Sequence, residues 1–225
     1  MSRIEVPDGT IVVYTDVMCG WSTVALHRFY RARHEAGLDD QLEVDLRLFL
    51  LEDVNRTPLT SSIIEPEKPV VGPLEPDLDI TPWQGDLSAW PVTSLPANEA
   101  VHAARAQSPA AAEQLDMALR LAFWRDSRCV SMRHEILAIA DGCEAVDTDE
   151  LRAALDDGRA RGPMMAQYLR DRDVVAGSPH FFLSDGSDQH NPGISFHQQG
   201  TTGAGFPVLD GDDPKAYDEL VRRAA

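Results

Sequence analysis

The spacing of hydrophobic positions switches between strand and helix periods several times along the chain. Residues 10–16, TIVVYTD, form an apolar, β-branched run of the length of a buried strand. From 19 to about 36 the apolar residues recur every three to four positions, at Val24, Leu26, Phe29 and Tyr30, which predicts a helix ending before Gly37. In 42–51, LEVDLRLFLL, the residues Leu42, Val44, Leu46 and Leu48 alternate with polar ones before the run turns wholly apolar. That alternation predicts a second strand. Strand, helix and strand in this order, with a helix long enough to cross over, predict a right-handed unit with its strands parallel.

The pattern then breaks. Residues 52–96 hold eight of the fifteen prolines and eight acids against two bases. Proline removes backbone donors and fixes φ, so this segment reads as loop, with Trp83 and Trp90 expected to pin it to the body of the protein. From Ala97 to about Arg172 the period is helical throughout. Pro96 precedes one helix, Ser108 and Pro109 supply a cap and a first-turn proline, and Ser131 is the expected cap of a helix ending at Gly142. Asp147 or Thr148 caps the next helix, with Leu151 and Leu155 on one face, and Pro163 opens the last. A strand period returns in SPHFFLSDGSDQH, with a turn at Asp185-Gly186 and a hairpin partner expected near GISFHQQ. A helix capped near Asp212, with Pro214 in its first turn, closes the chain. The order β-α-β, helical block, β-β-α predicts an α/β fold whose two sheet-forming ends surround an all-helical middle.

Composition narrows what such a fold can do. Of 225 residues 43% are hydrophobic and 25% charged, and the net charge is -17. A surface this acidic repels nucleic acid and anionic lipid, so neither is an expected partner. The opening MSRIEVPDGT lacks a basic region followed by an apolar one, and no run approaches a membrane span, so a soluble, cytoplasmic protein is expected. There are three cysteines, Cys19, Cys129 and Cys143, and no CxxC pair. That is too few for a disulfide scaffold and offers no structural zinc site.

Cys19 stands where the first strand gives way to the first helix. A thiol there meets free N–H groups and the positive end of the helix dipole, so its pKa is expected below the ~8.5 of a free cysteine. Gly20 would let a partner's backbone approach, Trp21 would offer an apolar shelf, and Ser22, one turn on, could donate toward the sulfur. The same cysteine could also be a small buried hydrophobe. At the far end, Ser178-Pro179 begins a strand, where proline removes a ladder donor and a cis bond is plausible. Asp16 is either a proton partner of the thiol or the polar end of its strand. His180 either tunes the thiolate or is a hydrogen-bonded core residue. The spacing of His180, His190 and His197 fits no metal-ligand pattern. GTTGAG at 200–205 has the glycines of a phosphate cradle but not its strand-to-helix context, so it reads as a loop. Cys129 and Cys143 read as separate, inert thiols.

DVMCGWS before a helix, then a helical block, then VAGSPHFFL, resembles the DsbA-like branch of the thioredoxin fold, including its FrnE-type disulfide oxidoreductases. The likeness runs from Ile11 to Val221. It implies a thioredoxin-like domain made of 1–94 and 174–225, with the proline-rich loop 52–94, interrupted by a helical domain at 95–173. It also implies Cys19 as the attacking thiol, Pro179 as a cis-proline facing it, and Ser178 backbone pairing with a bound thiol peptide. On their own chemistry Gly20, Trp21 and His180 are expected at the binding surface beside them. Members carry a second cysteine where this chain has Ser22. The resemblance therefore extends to kappa-class glutathione transferases and 2-hydroxychromene-2-carboxylate isomerases, which usually place serine at the position of Cys19. The leading expectation is monothiol exchange through a CxxS motif, with a protein or small-molecule disulfide as substrate. No bound cofactor is expected, and a low-molecular-weight thiol of the glutathione or mycothiol type would serve as co-substrate. A thiol-dependent transferase or isomerase and a non-catalytic binding module remain open alternatives.

Overall fold

Strand β1 (Thr10–Thr15) lies inside a four-stranded sheet, second in the order β2 (Glu43–Leu48), β1, β3 (His180–Phe182), β4 (Asp188–His190). The computed structural model describes residues 4–201 and 203–225. Helix α1 (Gly20–Glu35) crosses from β1 to β2 (Glu43–Leu48), which pairs parallel to β1 with Val13 opposite Leu46. On the other side β1 pairs antiparallel with β3 (His180–Phe182), Val13 opposite Phe181, and β3 with β4 (Asp188–His190). Ile11, Val12 and Val13 are all fully buried because both faces of the sheet are covered, which is why the segment reads as an unbroken apolar run. This is the expected thioredoxin-like α/β fold with a helical insertion between β2 and β3.

The proline-rich segment is not plain loop. It holds three one-turn helices, α2 (Leu51–Val54), α3 (Ser61–Ile64) and α4 (Lys68–Val71), and 3-10 turns at Gly72–Leu74, Pro76–Leu78 and Leu87–Ala89. Pro69, Pro73 and Pro76 occupy first-turn positions, where a missing N–H costs nothing, and single turns are too short to show a period. Trp83 and Trp90 do anchor the segment. With Phe123 and Trp124 they surround the buried Lys68 ammonium, at 5.6 to 6.0 Å from the four ring centroids, and Lys68 also pairs with Glu65 at 2.9 Å.

The insertion is built from α5 (Leu95–Arg105), α6 (Pro109–Trp124), α7 (Arg133–Ala140), α8 (Thr148–Asp157) and α9 (Arg161–Asp171). Ser108 caps α6 by accepting from Ala111 N–H at 3.0 Å, and Asp147 caps α8 from Glu150 N–H at 2.9 Å. Ser131 does not cap α7. Its hydroxyl donates to the Thr93 carbonyl at 2.6 Å, and Met132 takes the cap position. One apolar cluster runs from Ile11 and Val13 through Val24 and Phe29 of α1 to Ala100, Leu119 and Phe123 of α5 and α6. On the opposite face Val12, Tyr14 and Phe182 pack with Met164 and Tyr168 of α9. Among the described residues no helix is long and apolar enough to cross a membrane.

The C-terminal strands differ from expectation. The partner of β3 is β4, directly across the Asp185-Gly186 turn, while β5 (Ile194–Gln199) pairs with β6 (Phe206–Asp212) in a separate two-stranded sheet. Asn191 and Gly193 both adopt positive φ and redirect the chain between β4 and β5. A Cβ on Gly193 would lie 2.1 Å from the Asp213 carbonyl, so that turn admits glycine alone. The last helix, α10 (Ala216–Ala224), accordingly starts after β6 instead of at Asp212, and it packs Tyr217, Leu220 and Val221 into the main core.

An ion cluster centred on the buried Arg28 and Glu75 fastens these parts together. Arg28 of α1 donates to Glu75 at 2.6 Å and to Asp212 of β6 at 2.5 Å, and Arg31 donates to Glu75 at 2.7 Å. Burial alone would raise the Glu75 pKa, but the bonds from Arg31 and Arg28 outweigh it and hold the carboxyl below its ordinary value. A depressed acid stabilises the fold above its unfolded pKa, and that stabilisation is lost as pH falls through the folded value. Glu75→Gln is expected to destabilise the protein at pH 7 by about 2 kcal/mol in urea titrations. The gap to wild type should close below about pH 4. A gap independent of pH would show that the charge on Glu75 contributes nothing.

Candidate active site

The β1–α1 corner is organised by Asp16. Its carboxyl accepts from Met18 N–H (3.0 Å), Leu51 N–H (3.1 Å), Ser94 Oγ (2.9 Å) and Asn98 Nδ2 (3.2 Å). Its own N–H donates to Ser178 Oγ at 3.1 Å, and its carbonyl accepts from Cys19 N–H at 3.0 Å. Burial raises the carboxyl's pKa, and the bonds from Met18, Leu51, Ser94 and Asn98 work against the rise. With those four donors on its carboxyl, Asp16 is the polar terminus of its strand and the hub of the corner.

Cys19 occupies the N-cap of α1 with extended backbone, φ -91° and ψ 116°, and makes no side-chain cap. Its thiol donates to the Ser178 carbonyl at 3.2 Å, and the Ser178-Pro179 bond is cis. Two segments 159 residues apart in sequence therefore meet at one sulfur. Cys19 is only 4% exposed, and the pKa of its thiol is raised, not lowered as its helix position predicts. Desolvation is the largest cause and the Glu67 charge the next, against lowering by the side chain of Ser178 and by the backbone and side chain of Ser22. Burial thus outweighs the helix N-terminus. Glu67, half-buried at the cap of α4, has its own carboxyl pushed up to about 8 by burial.

Ser22 is fully buried. Its hydroxyl lies 3.0 Å from the Cys19 carbonyl and 3.1 Å from the Asp16 carbonyl, and it accepts from Arg120 Nη1 at 2.8 Å. Gly20 is backed by Trp124, and a Cβ there would come within 2.9 Å of that ring and 3.2 Å of Val71. The required close approach is to the protein itself. Trp21 is not an open shelf. It is 4% exposed and stacks face to face on Phe196 of β5, ring centroids 4.0 Å apart and 5° from parallel.

His180 does not reach the thiol. With Val12, Tyr14 and Phe182 it lies on the sheet face opposite α1, because alternate residues of a strand point to opposite faces. There its Nδ1 accepts from Ala176 N–H at 3.0 Å, its Nε2 lies 2.9 Å from Asp188, and burial lowers its pKa. Its ring meets His190 edge to face at 5.9 Å, while His197 pairs with Asp210 at 2.9 Å. Among the described residues no cluster of ligating side chains forms a metal site. Cys129 and Cys143 are free thiols, Cys143 buried against the Ile139 carbonyl at 3.6 Å. The glycine-rich stretch joins β5 to β6, with Thr202 outside the described residues.

Sequence reasoning missed Glu67, Phe196, Arg120 and Asp116. Glu67 sits in the stretch read as loop, and Phe196 on the strand assigned to the wrong partner. Arg120 and Asp116 are one turn apart on α6, a spacing that also describes any exposed helical ion pair.

Residues 10–199 match the DSBA-like thioredoxin domain. No curated protein matches the chain significantly. Among solved structures it is similar to the cytosolic disulfide reductase DsbM from Pseudomonas aeruginosa with GSH, at 20% identity and TM-score 0.62, over 80% of this chain and 88% of that one. It is similar to a probable DsbA oxidoreductase from Streptomyces coelicolor at 17% identity and TM-score 0.63, over 96% and 89%. It is also similar to a 2-hydroxychromene-2-carboxylate isomerase at 15% identity and TM-score 0.57, over 80% and 87%. At these identities the likeness is one of fold.

Two outcomes are expected. Iodoacetamide should modify native Cys19 with a pH midpoint above the ~8.5 of a free cysteine, and more slowly at pH 7.5 than in the urea-unfolded chain. Faster modification in the native state would contradict the burial argument. Gly20→Ala should overpack the Trp124 contact and cost about 1–3 kcal/mol in urea titrations, whereas an unchanged midpoint would mean that the ring moves aside freely.

Proposed function

The chain belongs to the DSBA-like thioredoxin domain family, and from that premise we propose that it exchanges thiols and disulfides through Cys19 alone. The observation that carries this reading is the Cys19 sulfur held at 3.2 Å from the Ser178 carbonyl, beside Pro179, with a serine and no cysteine one turn along the helix. In the proposed cycle Cys19 gives up its proton and the thiolate attacks one sulfur of a disulfide. A Cys19–substrate mixed disulfide forms, and the other half leaves as a thiolate that takes up a proton. An external thiolate then attacks the mixed disulfide and returns Cys19 to its reduced state. In this cycle Cys19 is the nucleophile, Ser22 holds its backbone, and Ser178 and Pro179 present the edge to which substrate backbone pairs.

The proposed co-substrate is a low-molecular-weight thiol of the glutathione type. Two considerations favour a small one: Cys19 is buried, and the fold is shared with a reductase whose structure was determined with GSH. That neighbour is named as cytosolic, in keeping with a cytoplasmic setting for this protein. The likeness to an isomerase of the same fold supports a second reading, in which a thiol bound at the same corner takes part in isomerisation.

Oxidised glutathione is expected to add a single glutathione to the reduced protein, located to Cys19 by peptide mass, and free thiol should remove it. Cys19→Ser should abolish the adduct. Adducts confined to Cys129 or Cys143, or a stable intramolecular disulfide in the wild type, would reject the monothiol reading.

A further inference from the structure

Arg120, on α6 of the insertion, is 0% exposed and paired with Asp116, itself buried, at 2.7 Å. A guanidinium has five N–H donors in a fixed fork. Here Nε and Nη2 reach Asp116, at 2.7 and 3.1 Å. The remaining acceptors all belong to the corner that carries Cys19. Nη2 donates to Thr15 Oγ1 (2.8 Å), and Nη1 faces the Asp16 carbonyl (3.0 Å), Ser22 Oγ (2.8 Å) and Thr23 Oγ1 (3.2 Å). Ser22 and Thr23 in turn place their hydroxyls 3.0 and 2.9 Å from the Cys19 carbonyl. A single buried cation is thus one hydrogen bond from each of the two side chains that grip the Cys19 backbone.

Stability alone explains this poorly. A buried ion pair gains little over well-packed apolar residues of the same volume. Placement explains it better, since each bond outside the pair fixes the corner. The hydroxyl of Ser22 also does what a thiol cannot do well: it accepts from Arg120 while donating to a carbonyl.

We propose that Arg120 is a positioning residue of the Cys19 site, acting through Ser22 and Thr23, and that the serine of the CxxS motif is there as its acceptor. The inference rests on the reading of Cys19 as the exchanging thiol. Attraction between the Arg120 cation and a charge on Cys19 works in the same direction, since it favours the thiolate.

The test is the pH profile of Cys19 alkylation by iodoacetamide in folded protein, with the fold of each variant checked by circular dichroism. Arg120→Met combined with Asp116→Leu removes both charges and leaves neither unpaired. Its rate at pH 7 should fall about tenfold, with the midpoint displaced upward by about one pH unit. Arg120→Lys keeps the charge without the fork and should lie between that variant and the wild type. Ser22→Ala leaves the ion pair intact but removes the bridge, so it should also slow alkylation and raise the midpoint. It decides the matter if the double variant does not fold. A wild-type profile in Ser22→Ala together with one in Arg120→Lys would overturn the proposal and leave Arg120 a purely structural residue. Glutathionylation of the same proteins separates the two readings. A wild type that never forms the Cys19 adduct defeats the exchange reading, while one that forms it and has unaltered variant profiles defeats only the role of Arg120.

Discussion

A carboxyl group buried without hydrogen bonds costs several kcal/mol, and Asp16 is completely buried. It meets that cost with donors from the turn into α1, from Leu51 just after β2, and from Ser94 and Asn98 at the start of α5. Its backbone adds Ser178 from the loop before β3 and Arg120 from α6. One residue therefore requires the first strand, the proline loop and the helical insertion to be in place together. Cys19 is attached to the centre of that arrangement by its own N–H. The apolar core follows the same logic, since the cluster under α1 continues into α5 and α6 without a break.

The consequence for the thiol is burial. Burial against the Ser178 carbonyl removes water from the sulfur. Two groups of opposite effect then act on it: Glu67, charged only once the pH passes about 8, opposes ionisation, and the Arg120 cation favours it. The positive end of α1, which by itself would favour thiolate, acts on a group whose desolvation is the larger effect. A small change in the surroundings, such as a disulfide substrate displacing the Ser178 contact, would change the ionisation of this thiol more than it would that of an exposed one.

Much of this was legible in the sequence because the signals were local or periodic. The apolar run of β1, the alternation of β2, the Ser108-Pro109 and Asp147 caps and the proline at 179 each carry their own meaning within a few residues. The meeting of Cys19 with Ser178 was legible only through the resemblance to a known family. Three kinds of feature escaped. One-turn helices such as α4 are shorter than any period. The pairing of β5 with β6, instead of β3, depends on turn conformations at Asn191 and Gly193 that composition only hints at. The burial of Trp21 under Phe196 and of Arg120 against Ser22 depends on tertiary placement, because the same residue types on a surface would look identical in sequence. The direction of the Cys19 pKa went wrong for the same reason: helix position is a local property and desolvation is not.

In the proposed cycle a single thiol does the exchange. The most direct test of this is an equilibrium titration in glutathione buffers, varying total glutathione at a fixed ratio of oxidised to reduced form. One thiol exchanging with oxidised glutathione releases one reduced glutathione, so the fraction modified depends on the ratio alone. Closure of an internal disulfide releases two, so the fraction oxidised falls as total glutathione rises at that ratio. With Cys19 acting alone, the fraction modified, read by intact mass, does not change with total glutathione. A fraction that falls as total glutathione rises would contradict exchange through Cys19 alone.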